Sequence, residues 1–124
     1  PRAISIRGNG TNLFSRTTKN TVANNYITDI TTTGVQLEHI GSAVVYGNTI
    51  ENISINGFIA GDGDGFIGIR VENTFQDGYI YGNIIRNILN TLATSSSIRL
   101  SAFSLGQRNG RNLYVYNNLV SNIH

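Results

Sequence analysis

Val45 to Ile53 reads VYGNTIENI and Ile80 to Ile88 reads IYGNIIRNI, and two more segments align with them without a gap: Val22 to Ile30, VANNYITDI, and Val115 to Ile123, VYNNLVSNI. The shared form is V/I, Y/A, G/N, N, any, I/V, any, N/D, I. Its fourth place is Asn in every copy, at Asn25, Asn48, Asn83 and Asn118, with separations of 23, 35 and 35 residues. A fixed motif recurring after unequal insertions is the signature of a repeat architecture. Apolar and polar residues alternate at period two, and no window sustains a 3.6-residue apolar stripe, so the repeats are strands and not helices.

A second, weaker set of alternating stretches lies between these segments: Ile4 to Arg7, Val35 to Glu38, Ile69 to Glu72 and Ile98 to Ser101. Each repeat therefore holds two or three short strands. A meander of hairpins would need tight turns inside the motif, yet the Asn-Gly pairs at Asn9, Asn56 and Asn109 all fall outside it. A parallel β-solenoid satisfies both facts, because coils stack about 4.8 Å apart and insertions leave at one corner. Val22, Val45, Ile80 and Val115 are then one inward row, Ile27, Ile50, Ile85 and Val120 a second, and Ile30, Ile53, Ile88 and Ile123 a third. The four asparagines stack at a turn, where their amides replace backbone hydrogen bonds lost at the bend.

Composition supports one all-β domain over residues 1–124, in about four coils near 1–32, 33–65, 66–96 and 97–124. Ile, Leu, Val and Phe make up 37 of the 124 residues, too many for a disordered chain. The absence of cysteine excludes disulfides, thiolate metal sites and cysteine nucleophiles. Eight Arg and one Lys oppose seven carboxylates, and the arginines are dispersed, which argues against nucleic-acid binding. No apolar run reaches the roughly 18 residues of a membrane span, and no leader precedes Ile4. A chain without Met that ends at His124, right after a core isoleucine, reads as a piece whose open ends are covered by further coils or by copies in a homo-oligomer.

YGNTIENI, YGNIIRNI and YNNLVSNI resemble the parallel β-helix repeat of the pectin-lyase-like superfamily, over nearly the whole chain. The resemblance implies a right-handed three-sheet β-helix, an extracellular or virion setting, and a family of polysaccharide lyases, hydrolases, epimerases and phage tailspikes. It also implies that an outward strand face can carry an active site. The signature residues of polygalacturonases, pectate lyases and alginate epimerases are absent, so no known site transfers.

Stacking the weaker strands in register puts Ser5, Gln36, Arg70 and Arg99 in one outward row and Arg7, Glu38, Glu72 and Ser101 in the next. Glu38 and Glu72 then oppose each other about 5 Å apart. One reading is a charge-balanced ladder neutralised by Arg7, Arg70 and Arg99. The other is a catalytic acid and base at the separation used by retaining glycosidases, with His39 assisting proton transfer or simply solvated at a strand end. Glu51 and Arg86 should pair across coils. Tyr46, Tyr81 and Tyr116 form an outward row above Ala23, with Tyr79 and Tyr114 beside it, a face suited to structural stacking or to substrate binding of sugar rings.

Two insertions complete the reading. Ser54 to Gly65, with Asp62 and Asp64, is a flexible turn that offers calcium an irregular site at most, since an EF-hand needs a Glu where Asn73 stands. Phe103 to Arg111 reads as a loop presenting Gln107, Arg108 and Arg111. No other cofactor is implied. The sequence thus points to a β-helix module that binds polysaccharide and either processes it, as a lyase or glycoside hydrolase, or does not. The alternative is a structural or assembly solenoid such as a tailspike shaft, adhesin or spacer.

Overall fold

The computed structural model describes residues 2–8, 18–30, 32–54, 66–89, 100–108 and 110–124. Within them are twelve strands in three four-stranded sheets and no helix. Sheet A contains β1 (Arg2–Arg7), β4 (Thr33–Glu38), β7 (Phe66–Glu72) and β10 (Leu100–Gly106). Sheet B contains β2 (Lys19–Ala23), β5 (Ser42–Tyr46), β8 (Gly78–Tyr81) and β11 (Leu113–Tyr116), and sheet C contains β3 (Tyr26–Thr28), β6 (Thr49–Ser54), β9 (Ile84–Leu89) and β12 (Leu119–Ile123). Every pairing is parallel and joins a strand to the one three elements on. Each coil therefore contributes one strand to each sheet, and four coils build a parallel β-solenoid.

The nine-residue motif is the end of a sheet B strand, a two-residue corner and a sheet C strand. Its third place must turn the chain and takes a left-handed backbone: Asn24, Gly47, Gly82 and Asn117 all have φ between 53° and 65°. Glycine and asparagine occupy it because they tolerate that region best. The fourth place then aims its amide along the stack. Asn25 donates to Asn48 Oδ1 at 3.0 Å, Asn48 to Asn83 at 2.9 Å and Asn83 to Asn118 at 2.9 Å, and each acceptor also takes the backbone N–H of the asparagine before it. This is the ladder expected from the motif.

The motif's eighth place builds a second ladder that the sequence reading did not draw. Asp29, Asn52, Asn87 and Asn122 are also left-handed, and Asn122 donates to Asn87 at 3.0 Å, Asn87 to Asn52 at 3.1 Å and Asn52 to the Thr28 hydroxyl at 3.2 Å. Between the two ladders the inward rows close the core. Val45, Ile50, Ile53, Ile80, Ile85 and Ile88 are wholly buried with Val35, Leu37, Ile69 and Val71 of sheet A. Each such side chain contributes roughly 1.5–3 kcal/mol of burial.

The fourth coil corrects one expectation. Phe103 pairs with Ile69, Ser104 with Arg70 and Gly106 with Glu72, whereas Ser101 pairs with Ile67. The strand element facing Ile69–Glu72 is therefore Phe103–Gly106, not Ile98–Ser101, and the first four residues of the stretch read as a loop are strand. Both tetrapeptides alternate apolar and polar residues, so alternation alone could not choose between them. Phe103 settles the choice by packing its ring against the core. The corner beyond it is held by Thr74, whose N–H and hydroxyl both donate to Gln107 Oε1, at 3.2 and 2.7 Å, while Arg108 lies 4.1 Å over the Phe75 ring.

Candidate functional site

Three outward faces carry polar or aromatic clusters, and the connections between strands distinguish them. The corner from sheet B to sheet C takes two residues in every coil. All three long segments outside the described residues, 9–17, 55–65 and 90–99, join strands across the corners that flank sheet A. Such variable connections are where function concentrates on a regular scaffold.

The outward rows of sheet A are Ser5, Gln36, Arg70, Ser104 and Arg7, Glu38, Glu72, Gly106. Arg99 is not the partner of Arg70; Ser104 is, and Arg99 lies outside the described residues. Glu38 and Glu72 are register neighbours, but a guanidinium joins them. Arg70 Nε is 3.3 Å from Glu38 Oε1, and its Nη2 is 3.1 Å from Glu72 Oε2. Arg7 approaches Glu38 from the other side at 3.6 Å, and the Ser104 hydroxyl reaches Glu72 at 3.3 Å. Like charges that would repel across adjacent strands are thus bridged by a cation. His39 has φ 53°, the same left-handed corner conformation as Asn73 one coil on, and its N–H bonds the Glu72 carbonyl at 3.2 Å. Its ring forms no hydrogen bond or ion pair with either carboxylate. Beside this cluster the Gln36 side chain is 3% exposed, and its amide oxygen accepts no hydrogen bond.

Sheet B carries the aromatic face. Tyr46, Tyr81 and Tyr116 follow Ala23 in one row, and Tyr79 and Tyr114 follow Val44 in the next. Successive rings in the first file are 5.1 Å apart with planes 4° from parallel, and Tyr79 and Tyr114 are 5.2 Å apart at 16°. Parallel rings at this separation are offset-stacked; laid side by side in one plane, they would clash. The rings therefore turn their faces to one another and their edges and hydroxyls to solvent. Sugar cannot lie flat on the interior rings. Tyr79, Tyr114 and Tyr116 are nonetheless 41%, 45% and 46% exposed, a large aromatic surface for any solvated face. It belongs to a different sheet from the Arg70 cluster, so the two do not form one groove.

Sheet C holds a third cluster, of which the sequence reading had two members. Arg86 pairs with Glu51 across adjacent coils as expected. Tyr26, one coil earlier, donates its hydroxyl to the other Glu51 oxygen. These hydrogen bonds from Tyr26 and then Arg86 hold the Glu51 carboxyl below its ordinary range, and the bond to Glu51 pushes the Tyr26 phenol up. Tyr26 was legible in principle: it occupies the motif's fifth place, outward and one coil before Thr49.

Among the described residues no cluster of three or more His, Asp or Glu side chains gathers that could hold a metal, and Asp62 and Asp64 lie outside them. Nor is there, among the described residues, a helix long and apolar enough to cross a membrane. The fold defines the chain as a parallel β-helix with stacked asparagine corners. No protein-family model matches it, and neither does any curated protein or any solved structure.

Proposed function

We propose that this chain is a polysaccharide-binding module of the pectin-lyase-like type, from a protein that works outside the cell or on a virion. The observation that carries the reading is the tyrosine face of sheet B. Five rings are set in two files on a regular lattice, with ring edges and hydroxyls outward and without a charged residue in either Tyr row. A hydroxyl lattice with a period of about 4.8 Å along the solenoid suits a long, repetitive, hydroxyl-rich polymer lying along the axis. It does not suit a nucleic acid, whose phosphates need basic side chains.

Binding without cleavage is the better reading for the described residues. Arg70 occupies the space between Glu38 and Glu72 that an acid/base pair would need for substrate, and it engages an oxygen of each. The test is binding of the chain to soluble glucan, galactan, mannan, polygalacturonate and alginate, beside a Tyr81→Ala, Tyr116→Ala double variant shown by melting to be folded. Binding that falls at least tenfold in the variant supports the reading. Equal binding by both proteins, or none to any of the five, overturns it in favour of a structural module.

A further inference from the structure

We infer that the side of Tyr46 facing the first coil is a stacking subsite for one pyranose ring, with Ala23 as its floor. The inference rests on the polysaccharide reading and names where that polymer is gripped. In the file Ala23, Tyr46, Tyr81, Tyr116 the coils contribute one side chain each, and rings succeed one another every 5.1 Å. Tyr81 has a ring on both sides. Tyr46 has Tyr81 on one side and, on the other, only the Ala23 methyl in register. The file is a stack from which the first-coil ring is missing, and the space is as thick as one coil, enough for one flat ring.

The surroundings choose between an aromatic ring and a sugar. Thr21 and Lys19 precede Ala23 at two-residue intervals on the same outward face of β2, and Asn24 follows it at the corner; all three are exposed. An aromatic wall, a small floor and a rim of hydroxyl, amide and ammonium groups match a pyranose, which has an apolar C–H face and a hydroxyl edge. A phenyl ring would leave that rim unused. The subsite also resolves the difficulty raised by Tyr81, both of whose faces are covered by rings: the polymer stacks on Tyr46 and touches Tyr81 by its edge and hydroxyl.

The test completes the stack. Ala23→Tyr adds the fourth ring in register and so fills the subsite with the protein's own side chain; Ala23→Leu covers the same face with an aliphatic group. Each is measured against the same five polysaccharides, with melting temperature recorded. Both variants should melt no lower than the unaltered chain and bind at least tenfold more weakly. Folded variants that bind as the unaltered chain does would overturn the subsite while leaving the tyrosine face standing. Absence of binding by the unaltered chain to all five would overturn both.

Discussion

Replacing Asn83 by alanine should be among the most damaging single changes available outside the apolar core. Its side chain is fully buried and makes five hydrogen bonds: Oδ1 accepts from Asn48 N–H and Asn48 Nδ2, and Nδ2 donates to Val45 O, Tyr81 O and Asn118 Oδ1. Most of these partners have a substitute. Asn48 Nδ2 still reaches Val22 O and Tyr46 O, and Tyr81 O still accepts from Gly47 N–H. The Asn48 backbone N–H does not, and Asn48 is 1% exposed, so water cannot replace the lost acceptor. An orphaned buried N–H costs about 1–3 kcal/mol, and the remaining bonds add about 1 kcal/mol each where they have no substitute. Asn118 Oδ1 still accepts from the Asn83 backbone N–H, which leaves Val45 O as the other partner without a substitute, so the total is about 2–4 kcal/mol, a large share of the roughly 5–15 kcal/mol of an ordinary domain. Asn25 at the ladder's edge is the control. Its amide donates to Ala23 O and Asn48 Oδ1, but among the described residues its own oxygen accepts nothing, so Asn25→Ala orphans no described N–H and should cost about 1 kcal/mol. Equilibrium urea unfolding followed by far-ultraviolet circular dichroism measures both. Equal losses in the two variants would refute the claim that the ladder works by satisfying buried backbone.

Three further outcomes concern sheet C, sheet A and the contact between them. The depressed Glu51 carboxyl contributes stability that is present above its ordinary unfolded value of 4.5 and lost as pH falls through the lower folded value. The raised Tyr26 phenol contributes stability that is present below about pH 10 and lost as pH rises through its folded value, so Tyr26→Phe should flatten both limbs of the stability–pH curve, and a parallel curve would contradict the pairing. Arg70→Met leaves Glu38 and Glu72 opposed without their bridge and should cost roughly 3 kcal/mol, more than half of it restored by a second change, Glu72→Gln; an uncorrected loss in the double variant would show that Arg70 does not act by neutralising the pair. Gly68→Ala would place a methyl 2.7 Å from both Ala102 O and Ile85 Cγ2 and should lower stability by about 1–3 kcal/mol, against no change if the two sheets can part there.

Much of this architecture was legible in one nine-residue motif, because each of its places has a separate physical duty. The third place turns left-handed, the fourth satisfies the bend, and the first, sixth and ninth fill the core. Register between copies follows from the motif itself, which is why the tyrosine files and the Glu51–Arg86 pair were readable before any coordinates. Sheet A lacks such a marker. Its strands follow insertions of unequal length and carry only alternation, which Ile98–Ser101 and Phe103–Gly106 both satisfy, so nothing in the pattern marks a slip of five residues. That slip put Arg99 where Ser104 stands. The orientation of the tyrosine rings was not legible either. Sequence spacing places five phenols on one face, but whether they present faces or edges depends on side-chain torsions, and the 5.1 Å stacking turned the faces away from solvent. Gln36 could be assigned to its row but not to its isolation, which depends on what lies around it rather than on its own strand.

The central claim is that the tyrosine face of sheet B meets the polysaccharide, and nuclear magnetic resonance of the chain with ring-labelled tyrosine tests it most directly. Titration with whichever of the five polysaccharides binds most tightly should shift the ring signals of Tyr46, Tyr79, Tyr81, Tyr114 and Tyr116, with Tyr46 moving furthest. A saturating titration that leaves those five signals in place would contradict the account.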